Sequence, residues 1–288
     1  MNTIVIIGQG QLGFELTKRL LAAGDWVFTV SRTSHEPLSG SHQHISADLD
    51  TITNALELPE SIHTLFYLAP PSTTDLHDQR LKSFIKNHHH LNIQHIIYIS
   101  TTGVYGDSEG QWITEKTPTQ PAAERSKRRL DAEQQLFNYQ QKTSTPTSVL
   151  RCAAIYSCKT VNKQRITANH KPVIEAAKAP FTNRIHLDDL TEVCVKAMQY
   201  PPKQYAIYNV SDGHPSTTTE HAWLLADLTG VTRNKEISLT EAAYYYSPAY
   251  MSYLNESKKI DISKLKKELK PEFKFENVID GISNCLNR

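Results

Sequence analysis

No charge of one sign dominates this chain: 31 lysines and arginines face 30 aspartates and glutamates, a formal net charge of +1 over 288 residues. A protein that grips nucleic acid or acidic lipid with its whole surface needs a basic excess, so that class is set aside. One local basic stretch stands out, "PAAERSKRRLDAEQQLF" at residues 121–137, with Arg125, Lys127, Arg128 and Arg129 close together. Cysteine is scarce too. Cys152, Cys158, Cys194 and Cys285 form no CxxC pair and no zinc-ligand spacing, so reduced, mostly buried thiols and no metal site are expected. No run approaches the ~18 apolar residues that span a bilayer. The start, "MNTIVIIGQG", lacks the basic lead and long apolar core of a signal peptide. The expectation is a soluble, cytoplasmic protein whose partner is a small molecule, with no nucleic acid and no membrane.

What is present is a rhythm. Hydrophobic residues make up 39% and charged residues 21%, enough for a packed core. "TIVIIG" (3–8) is a short apolar run of the kind buried on both faces of a parallel sheet. A helix is expected next, because Leu12, Leu16 and Leu20 recur every four residues and Gly24 can stop it. "WVFTV" (26–30), "HTLFYLA" (63–69), "QHIIYIS" (94–100) and "TSVLRC" (147–152) read as further strands, with helical lengths at 75–89 and 122–141 between them. Alternation of this kind implies right-handed crossovers and a doubly wound α/β fold. Beyond Cys152 the rhythm loosens. A helix beginning near Asp188, a strand at 205–211 and helical pieces at 217–228 and 261–270 remain, the last closed by Pro271.

"GQGQLG" sits where the first strand meets the first helix. Gly8 permits the tight turn, Gly10 lets the backbone approach a pyrophosphate, and Gly13 lets helix and strand pack closely. Together with Gln11 and Leu12 they form a phosphate-binding turn whose helix N-terminus offers free N–H groups to an anion. The second strand ends in Ser31-Arg32 rather than a carboxylate. A hydroxyl and a guanidinium suit the 2′-phosphate of NADP, with NAD as the alternative.

These residues, with "SADLD" (46–50), "ISTTGVYG" (99–106), "LRCAAIYS" (150–157), "NRIHLDDL" (183–190) and "KIDISKLKKELKPEF" (259–273), make the chain similar to the extended short-chain dehydrogenases/reductases. It resembles in particular their NAD(P)-dependent epimerase/dehydratase group. The resemblance implies a Rossmann domain at 1–155 with 187–212, and a smaller C-terminal α/β substrate lobe at 156–186 with 213–288. It implies adenine contact for Asp48, and backbone beside the cofactor at Leu68 and Ala69. Thr101 falls at the catalytic Ser/Thr that hydrogen-bonds the reacting oxygen. Ile155 and Tyr156 fall where the chain lines the nicotinamide side, and Arg184, His186 and Asp188 in a segment near the substrate pocket. Many members pair through two helices, one of them the counterpart of 121–137, so a homodimer is a further expectation.

That same helix departs from the family. Members carry Tyr-x-x-x-Lys there, the lysine lowering the tyrosine pKa and holding the nicotinamide ribose. If Arg129 takes the lysine position, Arg125 replaces the tyrosine; if Lys127 does, Ala123 replaces it. Neither register has a phenol, and arginine keeps its proton at any ordinary pH. Arg129 or Lys127 can still hold a ribose or phosphate, and Tyr105 is the remaining candidate relay. The helix's charges also form (i, i+4) pairs, Glu124 with Arg128 and Arg129 with Glu133, as on a solvated face.

Two other clusters have bland explanations. His88, His89 and His90 point about 100° apart on a helix and suit its C-terminal dipole better than an ion. The tyrosines at 244–246, 250 and 253 suit lobe packing or a pocket wall. The expectation is therefore an atypical NADP-binding oxidoreductase acting on a sugar-nucleotide-like or other carbonyl/hydroxyl substrate. The alternative is a non-catalytic NADP-binding sensor or interaction protein.

Overall fold

The structure is a computed structural model that describes every residue except 35, 162, 169, 170 and 288, and the side chain of Arg165. Seven strands form one sheet: β1 (Thr3–Ile7), β2 (Trp26–Ser31), β3 (His42–Ser46), β4 (Thr64–Tyr67), β5 (Ile96–Thr101), β6 (Thr147–Cys152) and β7 (Tyr205–Val210). Their order is β3-β2-β1-β4-β5-β6-β7, with every neighbouring pair parallel. β1 is central, with Ile4 opposite both Val27 and Thr64. Its side chains alternate between two cores, as a period of two demands. Ile4 and Ile6 pack with Leu16 and Leu20 of α1 (Gln11–Ala22) and Val193 and Ala197 of α4 (Leu187–Gln199). Val5 and Ile7 pack with Leu81 and Phe84 of α2 (Gln79–Asn87) and Ala132 and Leu136 of α3 (Glu124–Thr143). The sheet is covered on both faces, which makes this a doubly wound Rossmann-type fold.

Segments that follow β6 form further short pairings and helices. Ala154–Tyr156 pairs in parallel with Arg184–His186, and Phe181–Thr182 runs antiparallel to Ser216–Thr217. α5 (Thr218–Thr229) starts at a capping box of Thr217 and Glu220 and ends at Gly230. α6 (Pro248–Leu254) carries Tyr250 and Tyr253 of the tyrosine-rich stretch, with Tyr244–Tyr246 in the segment before it, and α7 (Val278–Leu286) is the last helix.

Several expectations need correction. The helix expected over 75–89 is only Gln79–Asn87, because the buried Asp78 caps it by accepting from the Leu81 N–H (3.1 Å). The helix expected over 122–141 is shifted to Glu124–Thr143, ending at Ser144 in the left-handed region. α4 begins at Leu187, beside the Asp188 start expected, and its N-cap is His186, whose Nδ1 accepts from the Asp188 N–H (3.0 Å). Of the two charge pairs on α3, Glu124–Arg128 is present at 3.5 Å, but Glu133 does not pair with Arg129. Glu133 is buried and binds Arg151 of β6 (2.6 Å), a guanidinium in the sheet interior that needs a carboxylate more than a surface arginine does. The expected reduced thiols are also corrected: Cys158 and Cys285 are joined in a disulfide, while Cys152 and Cys194 are free and buried.

Candidate cofactor cleft and substrate cavities

The first-strand turn is built as its glycines require. Gly8 has φ +106°, and a Cβ there would lie 2.7 Å from the Ala69 nitrogen. A Cβ on Gly13 would lie 2.4 Å from the Gly8 carbonyl oxygen, while one on Gly10 would meet nothing within 4 Å. Gly8 and Gly13 are thus fixed by the fold, whereas the space beside Gly10 is open. Gly10 is the N-cap of α1 and supplies no side-chain cap, so the N–H groups of the first turn face that space.

Two cavities meet at this turn. One, of 270 Å³, runs past Ser31, Arg32, Asp48 and Ala69, with Arg80 as a second cation. Arg80 donates to Asp50 (Nε to Oδ1, 2.6 Å) and to the Pro70 carbonyl (2.8 Å), and this pairing holds the Asp50 carboxyl below its usual range. The other, of 320 Å³, is lined by Gly10, Gln11, Leu12, Leu68, Arg129 and Ile155 among others. Ile155 stays 45% exposed, an apolar wall for a flat ring. Arg129 donates to the Ile99 carbonyl (2.7 Å) and to the Tyr98 hydroxyl (3.2 Å), which aims it across the cavity floor from α3. Ser157 donates to Gln11 Oε1 (2.8 Å) and ties the loop after β6 to the glycine turn. Gly8, Gly10, Gly13, Leu68 and Ile155, with a basic side chain at the ribose end, therefore fit a dinucleotide.

A third cavity, of 200 Å³, holds Thr101 with Arg125, Tyr253, Glu256 and Lys258. Thr101 Oγ1 accepts from the Gly103 N–H (3.1 Å), which leaves its own proton free to donate. Arg125 sits where a phenol was expected in one register, and its Nη1 reaches Ser252 Oγ (2.9 Å) on α6. Lys258 pairs with Glu256 (2.7 Å), both side chains being buried. A fourth and larger cavity, of 430 Å³, lies between α5 and α6 and contains Arg184.

The structure thus brings together most of the residues named from sequence, with exceptions. Lys127 is exposed and lines none of these cavities, so of the two registers Arg129 occupies the cofactor side. Tyr105 is buried, donates to Asn209 Oδ1 (2.7 Å) and lies beneath the Arg151 guanidinium. Burial pushes its phenol up to about 12. His186 is buried against Tyr156 and Phe275. Tyr156 is raised above the ordinary phenol range by burial. His88 is a buried helix-end residue: its Nδ1 reaches the Phe84 carbonyl (2.9 Å) and its Nε2 accepts from the Leu56 N–H (2.7 Å). Arg80, Glu256, Lys258 and His221 carried no sequence signal, because each reaches its cavity from an element with no motif of its own.

A parallel 3-2-1-4-5-6-7 sheet, a glycine turn at the first strand and cavities at the strands' C-terminal ends define a dinucleotide-fold protein of the Rossmann class. Residues 4–211 match the NAD dependent epimerase/dehydratase family, and the chain belongs to that family. Among curated relatives it is 26% identical over 232 residues to the protein YeeZ of Escherichia coli K12, covering 75% of this chain and 80% of the relative. Among solved structures, a conserved protein from Silicibacter pomeroyi DSS, described as functionally unknown, superposes with a TM-score of 0.81 at 24% identity. That match covers 99% of this chain and 98% of the other. UDP-glucuronic acid 4-epimerase from Bacillus cereus, solved with NAD, superposes with a TM-score of 0.77 at 16% identity over 98% and 96% of the two chains. Among the described residues no helix is long and apolar enough to cross a membrane.

Proposed function

We propose that the protein is a nicotinamide-dinucleotide oxidoreductase of the epimerase/dehydratase type, preferring NADP, with a relay that does not use the family tyrosine. The open space at Gly10 between two cavities that share the glycine turn carries this reading. Ser31, Arg32 and Arg80 favour a 2′-phosphate at the adenosine end, and Asp48 lies beside the adenine space. Arg129 and Ile155 hold and shield the nicotinamide end. The nicotinamide, when bound, exchanges a hydride with a hydroxyl-bearing or carbonyl carbon of the substrate. Thr101 donates to the reacting oxygen. Arg125 cannot take up the proton, so the Glu256–Lys258 pair in the same cavity holds it: Glu256 Oε1 is buried with no hydrogen-bond partner among the described residues.

The test is a thermal-shift titration with NADP⁺, NADPH, NAD⁺ and NADH, followed by absorbance of the reduced cofactor against a carbonyl panel. Absence of any dinucleotide shift would sink the reading. Arg32→Asp is expected to move preference toward NAD, and an unchanged NADP preference would overturn the role given to Arg32. The arginine at the tyrosine position favours a second reading, a dinucleotide-binding sensor without turnover. Dinucleotide binding without turnover of any member of the panel would select it.

A further inference from the structure

The Cys158–Cys285 bridge has an imidazole beside it. Both Sγ atoms and a ring nitrogen of His186 lie within 4.8 Å of one another, and His186 Nε2 is 3.8 Å from Cys285 Sγ. Two cysteines and a histidine at this spacing can serve as a metal centre or as a thiol–disulfide centre. The tautomer decides between them. His186 Nδ1 accepts from the Asp188 N–H (3.0 Å) at the start of α4, so in the neutral ring Nε2 carries the hydrogen. A ligating nitrogen needs its lone pair, whereas this one aims an N–H at sulfur. Tyr156 and Phe275 hold the ring in that orientation, with centroids 5.1 and 4.4 Å from its own.

The two sulfurs are not equivalent. Cys285 is 8% exposed, on α7 among Val161, Val278 and Ile282. Cys158 is half-buried in the turn after Tyr156, next to the exposed Lys159 and Thr160. A nucleophile from solvent therefore reaches Cys158, and Cys285 is the sulfur that departs. A thiolate at Cys285 meets apolar surroundings and the C-terminal end of a helix, both of which oppose its charge. The His186 N–H offsets that opposition at the one sulfur where charge develops.

We infer that Cys158 is a site of reversible S-thiolation by small thiols. A thiolate attacks Cys158 Sγ and forms the S–S bond of a mixed disulfide as the Cys158–Cys285 bond breaks. The electron pair of the broken bond leaves on Cys285 Sγ, which accepts the His186 Nε2–H hydrogen bond. That sulfur then takes from solvent a proton equal to the one the attacking thiol released, and His186 keeps its own. Attack by Cys285 on the mixed disulfide reverses the step and frees the small thiol. The site adjoins the cofactor cleft: Ser157 donates to Gln11 Oε1 of the glycine turn (2.8 Å), and Thr160 Oγ1 accepts from the Ser157 N–H (2.9 Å). Opening the bridge therefore weakens dinucleotide binding. That consequence rests on the function proposed above; the exchange itself does not.

The test uses the folded protein in a buffer of reduced and oxidised glutathione, quenched with acid, with adducts located by peptide mass spectrometry. The Cys285→Ser variant is expected to accumulate glutathione on Cys158, whereas the Cys158→Ser variant leaves Cys285 largely a free thiol. In the wild type, the rate of bridge opening by reduced glutathione is read by alkylation. His186→Asn keeps a side-chain acceptor for the Asp188 N–H and removes the donor to sulfur. It is expected to slow opening about tenfold, the worth of one hydrogen bond to a charged group. A merely structural histidine would loosen the site on substitution and speed opening instead. Glutathione mainly on Cys285, opening only where urea unfolds the chain, or opening as fast in His186→Asn as in the wild type overturns the site. If His186→Asn does not fold, the partition between the two serine variants decides alone. NADPH is expected to bind the Cys158 adduct severalfold more weakly than the bridged wild type. Equal affinity would overturn the coupling to the cleft, and no binding to the bridged protein would count against the proposed function, with the exchange standing in either case.

Discussion

At position 13 a methyl group would sit 2.4 Å from the Gly8 carbonyl oxygen, whereas at position 10 it would meet nothing. The two glycines of one motif therefore do different work, and two variants separate them. Gly13→Ala should lower stability by about 1–3 kcal/mol, the range for forced overpacking, and lose cofactor with it. Gly10→Ala should melt like the wild type and yet bind dinucleotide at least tenfold more weakly, read by thermal shift with and without NADPH. A Gly10→Ala protein that binds normally would remove the pyrophosphate from this turn. A different residue governs pH. His95 is buried with Nε2 at 3.0 Å from Ser148 Oγ, and burial, with a smaller push from His63, lowers its pKa to about 4. Between about 4 and 6.5 the unfolded chain binds the proton and the folded one does not, so stability is lost as pH falls through that window. Asp189 and Asp212, held up to about 6 by burial, act in the opposite direction over part of it. The clean measurement is a difference: the cost of His95→Gln in urea should be roughly 2 kcal/mol smaller at pH 5 than at pH 7.5. An equal cost at both pH values would mean that His95 titrates normally.

Helix α3 shows how an element's role can hide from its sequence. Its buried residues include Ser126, Arg128, Glu133 and Gln140, so the face it presents to the sheet is partly polar and the apolar stripe is thin. Read as sequence, Glu133 belonged to a solvated ladder; in the fold it accepts from Arg151 (Nη2 to Oε2, 2.6 Å) and from the Ser100 hydroxyl (2.5 Å). Local spacing reveals helical neighbours, but a partner on a strand 18 residues later has no periodic signature. The glycine turn and six of the seven sheet strands were legible because buried parallel strands and φ-positive turns leave local marks; the edge strand β3, with two histidines and a glutamine, has no apolar run to mark it. The lobe cavities were not, since residues as far apart as Arg184 and Tyr250 meet only through tertiary packing. Glu133→Gln leaves Arg151 buried without a counter-charge and should cost about 3–5 kcal/mol in denaturant unfolding. The double variant Glu133→Leu with Arg151→Met should lose much less. If the double variant is the less stable one, the pair stabilises the helix–sheet contact on its own account rather than merely satisfying a buried charge.

Across the whole molecule the longest covalent tie is the Cys158–Cys285 bridge, which spans 127 residues. It joins the loop after β6 to α7. That loop carries Ser157 and Thr160 of the cofactor cleft, and α7 packs its Gly281 against Tyr156, where a Cβ would lie 2.1 Å from the phenol oxygen. The C-terminal helix thus backs one wall of the cleft although it contributes no lining residue. Cysteines this far apart give no pairing signal in sequence, which is why they read as independent thiols. Closing so long a loop restricts the unfolded chain, and removal of a native bridge of this kind costs about 2–5 kcal/mol. Cys158→Ser with Cys285→Ser should lower Tm accordingly and loosen the cleft wall enough to weaken dinucleotide binding severalfold. Adding reductant to the wild-type protein should reproduce both effects, and adding it to the double variant should change neither. If reductant leaves the wild-type Tm and cofactor affinity untouched, the bridge is not formed in solution, and the wall is held by Tyr156, Gly281 and the Ser157–Gln11 hydrogen bond alone.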